Sequence, residues 1–143
     1  MKTIKAGCIL VNLETKQIAL VCRDGSYSFP KGHMESGETI RECAVRETVE
    51  ETGHKCHLIS QKEIAIINYV TPRGEDVKNY FYVAIQDGIV DTKIDEIHTE
   101  ETHWVAFDEV ETRLSHENLI QLWKEIKLEI ENIMNNIYTN YQV

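Results

Sequence analysis

The chain has 143 residues, of which 42% are hydrophobic and 27% are charged. These values are typical of one globular domain, since lone domains run to about 100–200 residues, and they exclude a disordered or low-complexity protein. Lys and Arg number 15 against 24 Asp and Glu, so the formal net charge is −9. Because proteins bind duplex nucleic acid by neutralising its phosphates, this balance argues against a duplex-binding protein. We expect a single domain over residues 1–143.

Acidic residues concentrate in two segments of the chain. Residues 35–51 hold six acids and two bases, and residues 87–111 hold nine acids and one base. The two segments together contribute −12, while all other residues sum to +3. Charge runs are most often solvated faces of helices and loops. The alternative interpretation is that these acids bind a cation.

Cysteine usage and hydropathy bear on the cellular compartment. The four cysteines are widely spaced and form no CxxC pair, which predicts reduced core residues and not a zinc ribbon or redox dithiol. The N-terminus lacks an apolar stretch of signal-peptide length, and no run approaches the roughly 20 apolar residues of a membrane span. We therefore expect a cytoplasmic protein without a membrane partner. The cysteines are Cys8, Cys22, Cys43 and Cys56.

The N-terminal third of the chain has the pattern of paired strands. Residues 4–13 and 17–22 are rich in Ile, Leu and Val and flank a polar turn, which predicts a β-hairpin. Residues 26–29 predict a short strand, and residues 31–38 have the composition of a loop. This part of the chain is therefore expected to form strands that lead into a loop.

A helix is predicted directly after that loop. Thr39 and Glu42 have the spacing of a capping box, in which the hydroxyl and the carboxylate each bind a free backbone N–H at a helix start. Gly53 is a natural C-terminal cap. The helix is expected to run from the capping box to Gly53.

The C-terminal half combines strands with a long helix. Residues 58–70 and 77–85 predict two strands joined by a turn at residues 71–74, and residues 104–107 predict another short strand. From Ser115 onward, an aliphatic stripe predicts an amphipathic helix that packs on the sheet, with dimerisation as its alternative use. Strands and two helices around one core predict an α/β or α+β layered domain. The stripe residues are Leu119, Leu122, Ile126, Ile130, Ile133 and Ile137.

The central helix carries three glutamates at neighbouring positions on its surface. Glu47 and Glu51 lie one turn apart, and Glu50 lies three residues from Glu47. Like charges at this spacing mildly destabilise a helix. Val45 and Val49 mark the opposite side and are an alternative core face. The spacing alone therefore leaves both a solvated face and a metal site open.

The wider pattern around these glutamates resembles the Nudix box, G-x5-E-x7-R-E-U-x-E-E-x-G-U, where U is a bulky aliphatic residue. Every charged and glycine position matches, and Thr48 and His54 depart from the pattern at aliphatic positions. The resemblance implies an α/β fold, specifically a Nudix-type α/β/α sandwich with a mixed sheet. It also implies a pyrophosphohydrolase that cleaves a nucleoside diphosphate linked to another group, with Mg²⁺ or Mn²⁺ as cofactor. The matching residues are Gly32, Glu38, Arg46, Glu47, Glu50, Glu51 and Gly53.

The resemblance implies a role for each charged residue of the box. Glu50 and Glu51 match the principal metal ligands of the family. Glu47 matches a position that acts as ligand, as general base or as both, and we favour the base. Arg46 matches the residue that orients these carboxylates through charge-assisted hydrogen bonds. Glu38 is expected to brace the loop electrostatically.

Two further positions are expected to complete the metal site. The carbonyl of Gly32 corresponds to one that often joins the metal shell in this family. In many relatives, a glutamate shortly before a Trp contributes a ligand or the base, and Glu101 before Trp104 resembles that arrangement. Glu100 is the alternative, because adjacent residues of a strand point to opposite faces. A solvated surface position remains open for either glutamate.

Residues at the start of the box and beyond it suggest the substrate. The Pro-Lys-Gly-His segment at residues 30–33 is similar to that of asymmetrical dinucleoside polyphosphate hydrolases, such as those acting on diadenosine tetraphosphate. Lys31 and His33 are then expected to contact phosphate oxygens. Tyr80 and Tyr82 share one face of a predicted strand and are candidates to stack on adenine, or are ordinary core or surface aromatics.

Other functions remain open at this point. The alternative enzyme is a nucleoside triphosphate pyrophosphatase of the housecleaning type, and the alternative outside enzymes is a nucleotide-sensing Nudix module. Retention of the box glutamates favours the enzyme. The partner is expected to be a small nucleotide, and the chain a monomer or a homodimer.

Overall fold

A mixed β-sheet forms the middle layer of the computed structural model, which describes residues 2–89 and 101–142. β1 pairs in parallel with β7, and the other strand pairs are antiparallel: β1 with β2 and β4, β2 with β3 and β8, and β7 with β5 and β6. The mixed sheet confirms the predicted α/β fold class. The strands are β1 (Thr3–Asn12), β2 (Gln17–Arg23), β3 (Ser26–Ser28), β4 (Lys31–His33), β5 (His54–Leu58), β6 (Ala65–Val70), β7 (Asp76–Ile89) and β8 (Glu101–Ala106).

Helices cover both faces of the sheet. Because side chains alternate along a strand, β1 divides its residues between two cores. Ala6 and Cys8 pack beneath the first long helix, whereas Ile9 and Val11 pack beneath the last. These three layers are the predicted α/β/α sandwich. The helices are α1 (Ile40–Thr52), α2 (Val110–Arg113) and α3 (Glu117–Gln142), with a 3₁₀ turn (Phe107–Glu109) before α2.

Both ends of α1 are capped as predicted. The Thr39 hydroxyl accepts a hydrogen bond from the Glu42 N–H at 3.1 Å, and the Glu42 carboxylate accepts one from the Thr39 N–H at 2.8 Å. Gly53 adopts the left-handed conformation with φ of 72°, and its N–H donates to the Val49 carbonyl at 2.8 Å. Glycine, which has no Cβ atom, adopts this conformation at little steric cost. The helix therefore ends where the sequence predicts.

The side of α1 that packs on the sheet is not the side marked by Val45 and Val49. Its buried residues are Cys43, Ala44, Thr48 and Thr52. Val45 and Val49 are only half-buried, so the interpretation of their side as the core face is wrong. Thr48, which departs from the aliphatic pattern of the box, is fully buried.

Two strand predictions are corrected by the structure. Residues 31–38 are not entirely loop, because β4 pairs with β1 through Lys31 opposite Gly7. Residues 58–70 are not one strand: β5 ends at Leu58 and β6 begins at Ala65. The first correction arises from pairing of β4 with β1, and the second arises because β5 and β6 pair with different parts of β7. An apolar run by itself does not show where that pairing stops.

The aliphatic stripe of α3 packs against its own sheet. Leu119, Leu122, Ile126 and Ile130 are buried in the same core as β1 and β7, and Ile133 and Ile137 lie at its margin. Trp123, which lies outside the predicted stripe, is also buried there. Within residues 2–89 and 101–142, no helix has the length and apolar character that crossing a membrane requires.

Candidate active site

Arg46 connects three carboxylates at the junction of the box loop and α1. Its Nε and Nη2 atoms donate to the two oxygens of Glu38, each at 2.8 Å. Its Nη1 atom donates to Glu47 at 2.8 Å and to Glu50 at 3.1 Å. Nη2 also donates to the carbonyl of His33 at 2.9 Å. A planar guanidinium with several donors suits this arrangement, which is the one the predicted orienting role of Arg46 requires.

The Arg46–Glu38 contact fixes the charge of both side chains. Hydrogen bonds from Arg46 lower the pKa of Glu38 to about 2. The same hydrogen bonds raise the pKa of Arg46 further above its already high ordinary value. Glu38 also accepts a hydrogen bond from the Glu35 N–H at 2.8 Å, which secures the loop ahead of α1. The geometry matches the bracing role expected of Glu38.

Glu47 lies directly against the backbone of β4. A Cβ atom at position 32 would overlap the Glu47 carboxylate, so only glycine leaves room for this approach. The Gly32 carbonyl accepts a hydrogen bond from Cys43 Sγ at 3.6 Å. The Glu47 side chain is 15% exposed, and burial raises its pKa. Gly32 therefore determines how deeply this carboxylate lies.

Glu51 is held by the backbone at the start of β4. Its Oε1 atom accepts a hydrogen bond from the Lys31 N–H at 2.9 Å. Burial nevertheless raises the pKa of Glu51 to about 6, against an ordinary 4.5. Glu50, at 32% exposure, presents one oxygen to Arg46. The network thus brings the box glutamates to one side of α1.

This donor set fits a hard divalent cation. Mg²⁺ prefers carboxylate and carbonyl oxygens and retains several waters, so a few carboxylates suffice to hold it. Glu47 and Glu51 have raised pKa values because burial outweighs their neighbouring positive charges. A bound cation would favour the ionised form of both side chains. Glu47, Glu50 and Glu51 are accordingly the residues that would hold such an ion.

Two adjoining cavities lie beside these carboxylates, and Lys31 and His116 line both. The polar cavity, of about 320 Å³, reaches Glu51. The apolar cavity, of about 280 Å³, lies between β6 and the start of α3. The polar cavity is lined by Arg23, Asp24, Ser26, Ser28, Lys31, Glu51 and His116. The apolar cavity is lined by Lys31, Ile67, Tyr69, Val70, Thr71, Pro72, His116, Asn118 and Leu119.

Sequence reasoning missed Tyr69 and His116. His116 is exposed beside the start of α3, and Tyr69 is half-buried on β6. Tyr69 lies within the predicted strand at residues 58–70, but no local pattern associates that strand with the box. A motif search has no means of finding such residues, because their association with Lys31 depends on strand order and on the return of α3.

The two tyrosines predicted to stack on a base lie on the other face of the sheet. Tyr80 and Tyr82 belong to the core beneath α1, and Tyr82 is 5% exposed. Lys31 is paired with Gly7, which faces the α3 side of β1. The structure therefore does not bring Tyr80 or Tyr82 together with Lys31. Tyr69, by contrast, lines the apolar cavity together with Lys31.

His33 and Glu101 also have neighbours other than the expected ones. The exposed His33 places Nε2 at 3.3 Å from Glu75 Oε2. Glu101 pairs with Cys22 on the α3 face, whereas Thr102 donates to the Thr52 carbonyl of α1 at 3.4 Å. Alternation along β8 thus directs Glu101 away from the carboxylates of α1, and the structure does not bring them together. Glu100, the alternative, lies outside the described residues.

A family model, related sequences and solved structures all match this chain. The NUDIX domain model matches residues 1–123. The chain is 32% identical over 108 residues to the putative 8-oxo-dGTP diphosphatase of Bacillus subtilis, covering 74% of this chain and 68% of that protein. It is 28% identical over 102 residues to the asymmetrical bis(5'-nucleosyl)-tetraphosphatase of Rattus norvegicus, covering 68% and 69%. The crystal structure of a C. elegans Ap4A hydrolase aligns with a TM-score of 0.69 at 16% identity, covering 91% and 99%.

The chain belongs to the NUDIX domain family. It is a Nudix pyrophosphohydrolase that acts on nucleotide phosphoanhydrides, a class of enzyme that uses divalent metal ions. The comparisons confirm the predicted family and the predicted enzyme class, and they favour an enzyme over a nucleotide-sensing module.

Proposed function

We propose that this enzyme hydrolyses a phosphoanhydride bond of a dinucleoside polyphosphate, using Mg²⁺ or Mn²⁺ held by the box glutamates. The observation that carries the proposal is the pair of cavities joined by Lys31 and His116. An extended ligand placed along them would have its phosphates beside Glu51 and a nucleoside against Tyr69. The Pro-Lys-Gly-His segment and the similarity to the rat tetraphosphatase support the same substrate class.

Each part of the site has a distinct task in this proposal. A divalent ion held by the box glutamates would offset phosphate charge and would lower the pKa of the attacking water. Glu47, whose carboxylate lies against the backbone of β4, accepts the proton of the attacking water. Arg46 holds Glu47 and Glu50 in place, while the Lys31 ammonium faces the phosphates. Burial lowers the pKa of Lys31, so the approach of phosphate would favour its charged form.

A nucleoside triphosphate pyrophosphatase activity is the second candidate. It is favoured by the 32% identity to the putative 8-oxo-dGTP diphosphatase. The two candidates differ in products, because an asymmetrical cleavage of diadenosine tetraphosphate yields ATP and AMP, whereas pyrophosphatase action yields a monophosphate and pyrophosphate. They share the same metal site and the same general base.

Product analysis on a nucleotide panel in ¹⁸O-labelled water separates these candidates. We expect the highest kcat/KM on diadenosine tetraphosphate, with the label in a single product. A clear preference for 8-oxo-dGTP would instead establish the second candidate, and no turnover across the panel with Mg²⁺ or Mn²⁺ would refute both. Glu47→Gln should abolish turnover. Glu129→Gln, the same chemical change at an exposed position of α3, serves as the control.

Tyrosine variants test the position of the nucleoside. Tyr69→Leu should raise KM with little change in kcat, because it removes a ring beside the substrate and leaves the box unchanged. Tyr80→Leu serves as the control, since Tyr80 lies on the α1 face. A larger rise in KM for Tyr80→Leu than for Tyr69→Leu would contradict the proposed position.

A further inference from the structure

A second group of side chains of the types that can bind a metal ion lies on the sheet face opposite α1. Cys22 of β2 is directly opposite Glu101 of β8, and His103 follows two residues later on the same face. Cys22 Sγ, a Glu101 carboxylate oxygen and a His103 ring nitrogen all lie within 4.8 Å of one another. The group is separate from the network of Arg46, which lies on α1 and the box loop.

The Nε2 atom of His103 is buried and lies beside a carboxylate without forming a hydrogen bond of normal geometry. Among the described residues, its Nε2 atom has no hydrogen-bond partner, although Glu101 Oε1 lies 3.3 Å away. This contact leaves Nε2 without a directional hydrogen bond, and coordination of a metal ion would give that nitrogen a directional partner. The Tyr27 and His103 rings pack edge to face with ring centroids 5.2 Å apart, which restricts the orientation of the imidazole.

The donor set differs in chemistry from that of the box. A thiolate, an imidazole and a carboxylate suit Zn²⁺, whereas Mg²⁺ prefers oxygen donors alone. Cys22 is a free, half-buried thiol, so it is available for coordination. The Glu101 side chain is 73% exposed, so its carboxylate has room to rotate and become the third protein ligand. Three protein ligands would leave a fourth position of tetrahedral Zn²⁺ for water.

We propose that Cys22, Glu101 and His103 form a Zn²⁺ site that links β2 to β8 and is independent of the Mg²⁺ or Mn²⁺ ions of the box. The site uses side chains on two strands that are remote in sequence, so the bound ion stabilises their pairing. It also gives Glu101 a role on the face where the structure places it.

Cobalt titration of the full chain in excess Mg²⁺ tests the site, because a Co²⁺–thiolate bond produces a near-ultraviolet charge-transfer band. We expect the band to saturate at one equivalent. Cys22→Ser and His103→Gln should abolish it, whereas Cys56→Ser and Glu51→Gln should leave it unchanged. Absence of the band in the wild type, its persistence in Cys22→Ser, or its loss in Cys56→Ser would refute the proposal.

Calorimetric titration with Zn²⁺ gives a test that does not depend on the buried positions. Glu101→Gln changes an exposed side chain and should leave the fold intact, as circular dichroism would verify. We expect it to weaken Zn²⁺ binding by at least the roughly 10- to 100-fold typical of losing an outer-shell partner. Wild-type affinity in this variant would exclude Glu101 as a ligand. Hydrolase activity is measured separately with Mg²⁺, so that a failure of the Zn²⁺ site is distinguished from a failure of the proposed function.

Discussion

Individual side chains in the active site have protonation states set by two opposing effects. Hydrogen bonds from Arg46 hold Glu38 ionised, whereas burial opposes ionisation of Glu47 and Glu51. A hydrogen bond from a charged donor lowers the pKa of a carboxyl group, whereas desolvation raises it. The site therefore combines one permanently charged brace with carboxylates that a cation would stabilise.

The first prediction at this scale concerns the geometry of Arg46. Arg46→Lys keeps the charge but cannot donate to Glu38, Glu47 and Glu50 together, so we expect kcat to fall by about 10- to 100-fold at saturating Mg²⁺. Steady-state kinetics would measure the loss. Arg41→Lys, on the same helix but bonded to the carbonyls of Ser60 and Gln61, is the control. Equal effects of the two substitutions would contradict the prediction.

The second prediction concerns the burial of Glu51. Its pKa of about 6 exceeds the ordinary 4.5, so the folded state binds this proton more tightly than the unfolded state. The metal-free protein should therefore gain stability as the pH falls from above 6 towards 4.5. Above pH 6 the buried, ionised Glu51 destabilises the metal-free protein. Glu51→Gln removes that charge and should raise the free energy of unfolding at pH 8 by about 1–2 kcal/mol.

Denaturant unfolding in EDTA at pH 8 and at pH 5 would measure this effect. The variant should be more stable than the wild type at pH 8, and the difference should shrink at pH 5. It should also lose much of the stabilisation that Mg²⁺ gives the wild type. A variant less stable than the wild type at pH 8 without metal would show that the buried charge is compensated within the protein.

At the scale of elements, α1 and β4 act as one unit. α1 supplies the carboxylates, and β4 supplies Gly32 against Glu47 and the Lys31 N–H against Glu51. The capping box determines where α1 begins, and the Arg46–Glu38 contact ties the loop between the two elements to the helix. The position of the carboxylates thus depends on local hydrogen bonds at the start of the helix.

A prediction at this scale follows from the Thr39 cap. Thr39→Ala leaves a backbone N–H at the helix start without its partner, so we expect a loss of about 1 kcal/mol in unfolding free energy. Thr39→Ser keeps the hydroxyl and should retain most of that stability. Chemical denaturation of both variants would measure the difference. Equal losses in the two variants would show that the hydroxyl contributes little.

At the scale of the whole molecule, the sheet separates two cores with different tasks. The core beneath α1 supports the carboxylate helix, and the core beneath α3 holds the long stripe and Trp123. The polar cavity is lined by α1 through Glu51 as well as by strands and the segment before α3, whereas the apolar cavity is lined by strands, the turn after β6 and the start of α3. The core beneath α1 therefore supports the box carboxylates, whereas the core beneath α3 contributes mainly hydrophobic packing.

Substitution deep in α3 should separate stability from activity. Ile130 is fully buried, so Ile130→Ala should cost about 2–5 kcal/mol of unfolding free energy through loss of packing. Because Ile130 lies away from the cavity lining, kcat well below the melting temperature should be unchanged. Leu128→Ala, at a position 68% exposed on the same helix, should be nearly neutral. Thermal unfolding together with kinetics would check both outcomes.

Local features of the site could be predicted because they depend on short spacings. The capping box, the Gly53 cap and the one-turn separation of Glu47 and Glu51 are set by helix geometry, which the sequence displays directly. The aliphatic stripe of α3 is equally local. The family resemblance extended this prediction to Arg46, whose contacts with three glutamates all fall within thirteen residues.

Features that depend on pairing between strands distant in the chain could not be predicted in the same way. A strand exchanges its faces when its register shifts by one residue, and register is set by partners distant in the chain. The sequence alone therefore determined the carboxylate helix and its ends, and with the box it determined the family. Only the tertiary structure decided that Tyr69 lies beside Lys31, that Tyr80 and Tyr82 lie beneath α1, and that Glu101 faces Cys22, because each follows from long-range pairing.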